Sequence, residues 1–158
     1  MNGVSAVSPE QFESLLPLAS AWTQDQEGIA LRLGVPLSAS EMNDARTVGV
    51  AHPDRVRLLR VQTIPMPDHP RLRAAAEATQ LISPLTGGLT VRYGIFIHAD
   101  WWRDRRLVVH ELVHTSQYER RGGFEPFLQH YLSECLLIGY PNAPMEREAI
   151  ETAARVCG

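Results

Sequence analysis

The chain has 158 residues, 44% hydrophobic and 21% charged, with a formal net charge of -3. That is the length of about one domain, able to bury a substantial core without a staple. The slight negative charge gives no reason to expect a nucleic-acid partner, and no apolar run approaches the ~20 residues that cross a bilayer. All fifteen basic residues are Arg, with no Lys. The start of the chain lacks the basic and apolar regions of a secretory signal, so a soluble, cytoplasmic protein without a membrane span is expected. Export without a signal is left open.

In chain order, Ser8-Pro9-Glu10-Gln11 combines an N-cap, a Pro at the first helical position and a capping-box partner. Phe12, Leu15, Leu16 and Trp22 follow at helical spacing, and Pro17 is expected to end or kink this helix before a second stretch reaches about Leu33. Ser38 with Glu41 is a second capping box, opening a short helix that stops near Gly49. Arg55 to Ile64 looks like a strand, with Val56, Leu58, Val61 and Ile64 among Arg and polar residues. Pro65, Pro67 and Pro70 interrupt it, and Arg71 to Leu81 returns to helix-forming composition.

Gly87-Gly88 signals a turn, and Leu89 to His98 reads as one bent strand or a tight hairpin around Gly94. The remaining third is helical: from about Trp101 or Asp104 to Arg120, closed by Gly122-Gly123; from about Glu125 to Ile138; and from about Pro144 to Val156. Trp101 and Trp102 are expected to anchor a helix start, and Arg103, Arg105 and Arg106 to form a solvated face. His130, Tyr131 and Glu134 read as surface and packing positions. Cys135 and Cys157 have no CxxC partners, so a small buried hydrophobe and a tail residue are expected in place of a disulfide or a cysteine metal site. One α+β domain over 1–158 is the simplest account.

The chemistry concentrates in His110-Glu111-Leu112-Val113-His114. Helical positions four apart share a face, so two imidazoles at that spacing can grip one Zn²⁺ at nitrogen–metal distances of about 2.0–2.1 Å. Glu111, beside the first ligand, is placed to take a proton from a water on the metal's open side. By chance, three fixed positions of this kind arise in roughly one chain in a few hundred of this length, so context has to strengthen the reading. Here the motif falls mid-helix after a predicted strand.

A catalytic zinc needs a third protein ligand. His52, His69, His98 and His130 remain, but no histidine follows His114 closely, which leaves a downstream carboxylate at the start of the last helix: Glu146, with Glu148 as the alternative. HELVH followed, 32 positions after His114 (146 − 114), by MEREA resembles the gluzincin metallopeptidases, most of all small bacterial members with a Glu-x-x-Ala helix. The resemblance spans roughly Leu89 to Ala154. It implies Glu146 as third ligand, Ala149 as a helix-packing residue, and a minimal zincin-like fold, mostly helical with a small β-sheet beside the HExxH helix. Residues 82–158 would form the metal-binding core and 1–81 a support region.

The same resemblance implies a Zn²⁺ cofactor, a peptide or protein substrate, and substrate pairing along the strand Tyr93 to His98, which also reads as an ordinary core strand. Where many gluzincins carry Asp four residues after the ligand, this chain has Ile150, so the support of the metal histidines is unassigned. Tyr140 is the first candidate for an oxyanion donor, ahead of His98 and Tyr93. The alternative to a peptidase is a non-catalytic metal-stabilised or partner-binding module that keeps the ligands. Substrate identity and oligomeric state are not legible.

Overall fold

The computed structural model describes residues 8–78, 82 and 86–158. Among them the fold is mixed α+β and mostly helical, with six α-helices and one four-stranded sheet. No described helix is long and apolar enough to cross a membrane.

Helix α1 (Pro9–Leu33) begins at the expected capping box, with the Ser8 hydroxyl accepting from Gln11 N at 3.1 Å and Gln11 Oε1 accepting from Ser8 N at 2.9 Å. It continues through Pro17, so of the two expected outcomes the helix does not end there. Pro17 and Glu13 are both exposed, so water can satisfy the Glu13 carbonyl that Pro17 cannot. Buried Leu15, Leu16 and Ala19 hold the helix down on either side.

Strand β1 (Val35–Pro36) leads into α2 (Ala39–Thr47), whose Ser38–Glu41 capping box forms as predicted. A 3₁₀ turn at Pro53–Arg55 precedes β2 (Arg57–Val61), and α3 covers Pro70–Ala78; the last residues of the helix expected up to Leu81 lie outside the described part. Strands β3 (Gly88–Val91) and β4 (Gly94–His98) form the hairpin. Its turn is at Arg92-Tyr93 and not around Gly94, with Arg92 at φ 72°. Gly94 serves a different need: a Cβ there would lie 2.6 Å from Ala30 Cβ, so α1 crosses the sheet in contact with bare backbone.

The sheet order is β1-β2-β4-β3, with β2 and β4 parallel and the other pairs antiparallel. Strand β4 is therefore paired on both edges, which corrects the expectation that Tyr93 to His98 could pair with a substrate strand. Among the described residues the edge strands are β1 and β3, and β3 is the one in contact with α4. Leu58, Ile95 and Ile97, all 0% exposed, face α2 and α4 (Arg105–Arg121), while Phe96 and Val91 face α1. Burying each such side chain contributes about 1.5–3 kcal/mol.

Helix α4 starts at an Asp104 cap and stops at Gly122, in the left-handed conformation at φ 92°. Trp102 packs against the core at this start, as expected, whereas Trp101 is largely exposed. Arg103, Arg105 and Arg106 are exposed, as expected of a solvated face, and Arg105 also holds Asp44 of α2 through two 3.0 Å bonds while Arg103 reaches Pro36 O at 2.9 Å. Helices α5 (Phe124–Leu137) and α6 (Pro144–Cys157) complete the chain. Fully buried Ala149 and nearly buried Ala153 let α6 pack along α4. Cys135 is buried and both cysteines are free, as the sequence suggested.

Candidate metal centre

Helix α4 carries His110 and His114 one turn apart, with ring centroids separated by 5.1 Å. Glu146 comes from the first turn of α6, where a carboxylate also benefits from the positive end of the helix dipole. That turn has no side-chain cap of its own. Glu134 of α5 supplies one, accepting from Met145 N at 2.8 Å, so Glu134 fixes where the α6 start sits.

These elements bring the three expected ligands together. His110 Nε2 lies 2.6 Å from Glu146 Oε1, and His114 Nε2 lies 3.2 Å from Glu146 Oε2. The candidate ligand atoms all lie within 4.8 Å of one another. Ligand atoms on a tetrahedron about 2.0–2.1 Å from zinc stand roughly 3.3 Å apart, so His110 and Glu146 need to open by less than 1 Å. Two imidazole nitrogens and a carboxylate oxygen also suit zinc chemically. Among the described residues, the trio could hold a metal ion.

Electrostatics agree with a cation-seeking site. Burial disfavours a charged His114, but the Glu146 and Glu111 carboxylates outweigh it and raise its pKa to about 9. Burial likewise opposes ionisation of Glu146, yet the two imidazoles hold its carboxyl far below the usual range. Without an ion, a proton on His114 supplies positive charge beside the buried carboxylate.

Two supporting contacts were not legible beforehand. The His114 Nδ1–H donates to Gln117 Oε1 at 2.7 Å, leaving Nε2 turned toward Glu146. The Tyr131 hydroxyl, assigned from sequence to packing, donates to Glu146 Oε2 at 2.5 Å. Gln117 sits three positions beyond His114 on the same helix, but that spacing alone does not select it. Tyr131 required the packing of α5 against α6. Glu148, the alternative ligand, is engaged elsewhere, accepting from Gln117 Nε2 at 2.6 Å and Arg120 Nη2 at 2.9 Å.

Glu111 is 5% exposed and borders the same cavity as the trio. The hydroxyl of Thr90 on β3 donates to its Oε1 at 2.7 Å. Gly88, also on β3, leaves it room: a Cβ there would lie 3.2 Å from Glu111 Oε2. Edge strand β3 thus abuts this carboxylate.

Tyr140 lines the cavity, and burial, followed by the Glu146 and Glu111 charges, pushes its phenol up to about 12. Tyr93 and His98 do not line it. Tyr93 donates to Glu119 at 2.8 Å, and His98 Nδ1 accepts from Asp100 N at 3.0 Å. His130 pairs with Glu134 at 2.8 Å. The cavity encloses about 160 Å³, and α1 and α3 of the support region form much of its wall.

Comparison of the chain with protein-family models, curated proteins and solved structures found no match.

Proposed function

We propose that this protein is a zinc-dependent peptidase with a minimal zincin-like core, resembling the gluzincins, in which His110, His114 and Glu146 hold the ion. One observation carries the reading: a carboxylate from α6 meets both imidazoles of the HExxH helix in a cavity that also admits Glu111. A zinc ion in such a site lowers the pKa of water toward ~7 and polarises a carbonyl.

The chain's own groups supply the rest. Glu111, with one oxygen fixed by Thr90, accepts the proton of the attacking water and passes it to the leaving amine. Tyr140 keeps its phenolic proton at neutral pH and is the proposed donor to the developing oxyanion. Strand β3 offers its free edge to the main chain of an extended peptide, taking the role first expected of β4. Gln117 and Tyr131 orient ligands and touch no reacting atom.

The test is Glu111→Gln assayed beside the wild type on a peptide mixture. The variant is expected to bind one zinc per chain and to lose at least about 100-fold in cleavage rate. Full activity in that variant refutes the assigned base. Stoichiometric zinc in a wild type that cuts no peptide leaves a metal-stabilised module.

A further inference from the structure

On α4 the cavity wall continues past His114 to Tyr118, one turn further along the same face. The Tyr118 ring stacks on Phe127 at a centroid distance of 3.6 Å and clusters with Leu16 and Ala19 of α1, leaving the residue 2% exposed. Among the described residues its hydroxyl makes no hydrogen bond. No fully covered side-chain nitrogen or oxygen among them lacks a partner, so this hydroxyl has to open onto the cavity that the ring lines. The carboxylate whose charge acts on it most, Glu27, is committed to Arg92 and to the Tyr93 amide. Burial, followed by that charge, holds the phenol well above its ordinary range, so it keeps its hydrogen at neutral pH.

Thr23 supplies the complementary half. Ala19, Thr23 and Glu27 stand at successive turns of one α1 face, so Thr23 lies between the residue packed on Tyr118 and the carboxylate acting on its hydroxyl. It is 4% exposed, lines the cavity, and donates its hydroxyl hydrogen to Ala19 O at 2.7 Å, which leaves only lone pairs to offer a guest. A free donor and a free acceptor on one side of a cavity match a hydroxyl group, which accepts from the first and donates to the second. Around them Leu16, Leu72 and Phe127 favour a hydrocarbon body. The volume of about 160 Å³ suits a single ring, since a cavity of about 150 Å³ holds a benzene molecule. We infer that Tyr118 and Thr23 form a hydroxyl-binding site for a small apolar group that carries one hydroxyl, of the phenol class. The site needs neither a metal ion nor peptide cleavage, and so goes beyond the peptidase reading.

The test compares phenol with benzene, each titrated into the protein as isolated and followed by methyl NMR shifts. In a cavity without polar groups benzene binds more tightly, because phenol gives up the hydration of its hydroxyl. Here phenol is expected to bind at least about 10-fold more tightly than benzene. Tyr118→Phe removes no hydrogen bond of the fold and keeps the ring on Phe127, so its urea midpoint is expected not to fall. It is expected to reverse the order by weakening phenol alone. Thr23→Val, of the same shape without the oxygen, is expected to weaken phenol and spare benzene. A wild type that binds benzene at least as tightly as phenol, or binds neither, overturns the site. So does a phenol preference that survives in Tyr118→Phe, which would place the hydroxyl elsewhere, on a bound ion for example. A urea midpoint that falls in Tyr118→Phe overturns it as well, by showing that the hydroxyl is bonded within the fold. A free phenol and a tyrosine side chain share this chemistry, and N-acetyltyrosinamide separates them. Binding that is lost in Tyr118→Phe assigns the site to a tyrosine side chain, and its absence beside phenol binding assigns it to a free small molecule.

Discussion

Gln117 Oε1 accepts the Nδ1–H of His114 at 2.7 Å, and the other end of the same amide is fully committed. Its nitrogen donates to Met145 O at 2.9 Å and to Glu148 Oε1 at 2.6 Å, so the oxygen has to face the imidazole. The ring is thereby held in one tautomer and one orientation, and the clamp ties α4 to the start of α6. Gln117→Ala is expected to weaken zinc binding by about 10- to 100-fold, read by competition with a chromophoric chelator. Unchanged affinity would show that Gln117 does not orient the ligand.

The two acidic residues at the start of α6 have separate roles, one facing the imidazoles and one facing Gln117 and Arg120. After dialysis against trace metal, His114→Ala and Glu146→Ala are expected to lose stoichiometric zinc by mass spectrometry, while Glu148→Ala retains it. Zinc retained by Glu146→Ala would remove that carboxylate from the ligand set.

Glycines offer a pair of opposite signs. Gly94→Ala puts a methyl 2.6 Å from Ala30 Cβ at the α1–sheet contact and is expected to destabilise by about 1–3 kcal/mol. Gly28→Ala, within α1 and with only Arg32 Nη1 at 3.9 Å, is expected to stabilise by about 0.4–1 kcal/mol. Urea midpoints at constant slope decide both, and equal effects at the two sites would contradict the packing.

Alkaline pH should weaken the fold. Burial, followed by Glu119, pushes the Tyr93 phenol from 10.0 to about 12, and burial, followed by Glu146, pushes the Cys135 thiol from 9.0 to about 12. As pH rises past the ordinary values, the unfolded chain releases these protons first while the folded chain retains them. Stability of the ion-free protein is therefore expected to fall between about pH 9 and 12. Tyr93→Phe is expected to make the fall shallower, and Glu119 keeps the Ala51 and His52 amides as donors in that variant. A flat urea midpoint across this range would contradict the assignment.

Local signals in the chain were reliable where a few neighbouring residues set the energy. Ser8 with Gln11 and Ser38 with Glu41 announced two helix starts, Gly122 closed α4, and the His110–His114 spacing placed two rings on one face. Glu146 was legible as a candidate because it opens a helix beyond the histidine pair. Whether Pro17 ends α1 was not legible, because a proline's cost within a helix depends on whether water reaches the orphaned carbonyl and on what the neighbouring residues bury, neither of which is local.

What only the tertiary structure decided depends on pairs far apart in the chain. Whether β4 or β3 lies at an edge of the sheet follows from the parallel pairing of β2 with β4, and a strand's own residues do not encode its neighbours. Thr90 on Glu111, Tyr131 on Glu146 and the division of labour between Glu146 and Glu148 each join separate elements that meet only when the core closes. The sequence by itself determined the candidate ligand types and the helical phase of the two histidines, because 3.6 residues per turn is a property of the backbone. Folding decided which oxygen faces which nitrogen, because that depends on how buried side chains from α4, α5 and α6 fit together.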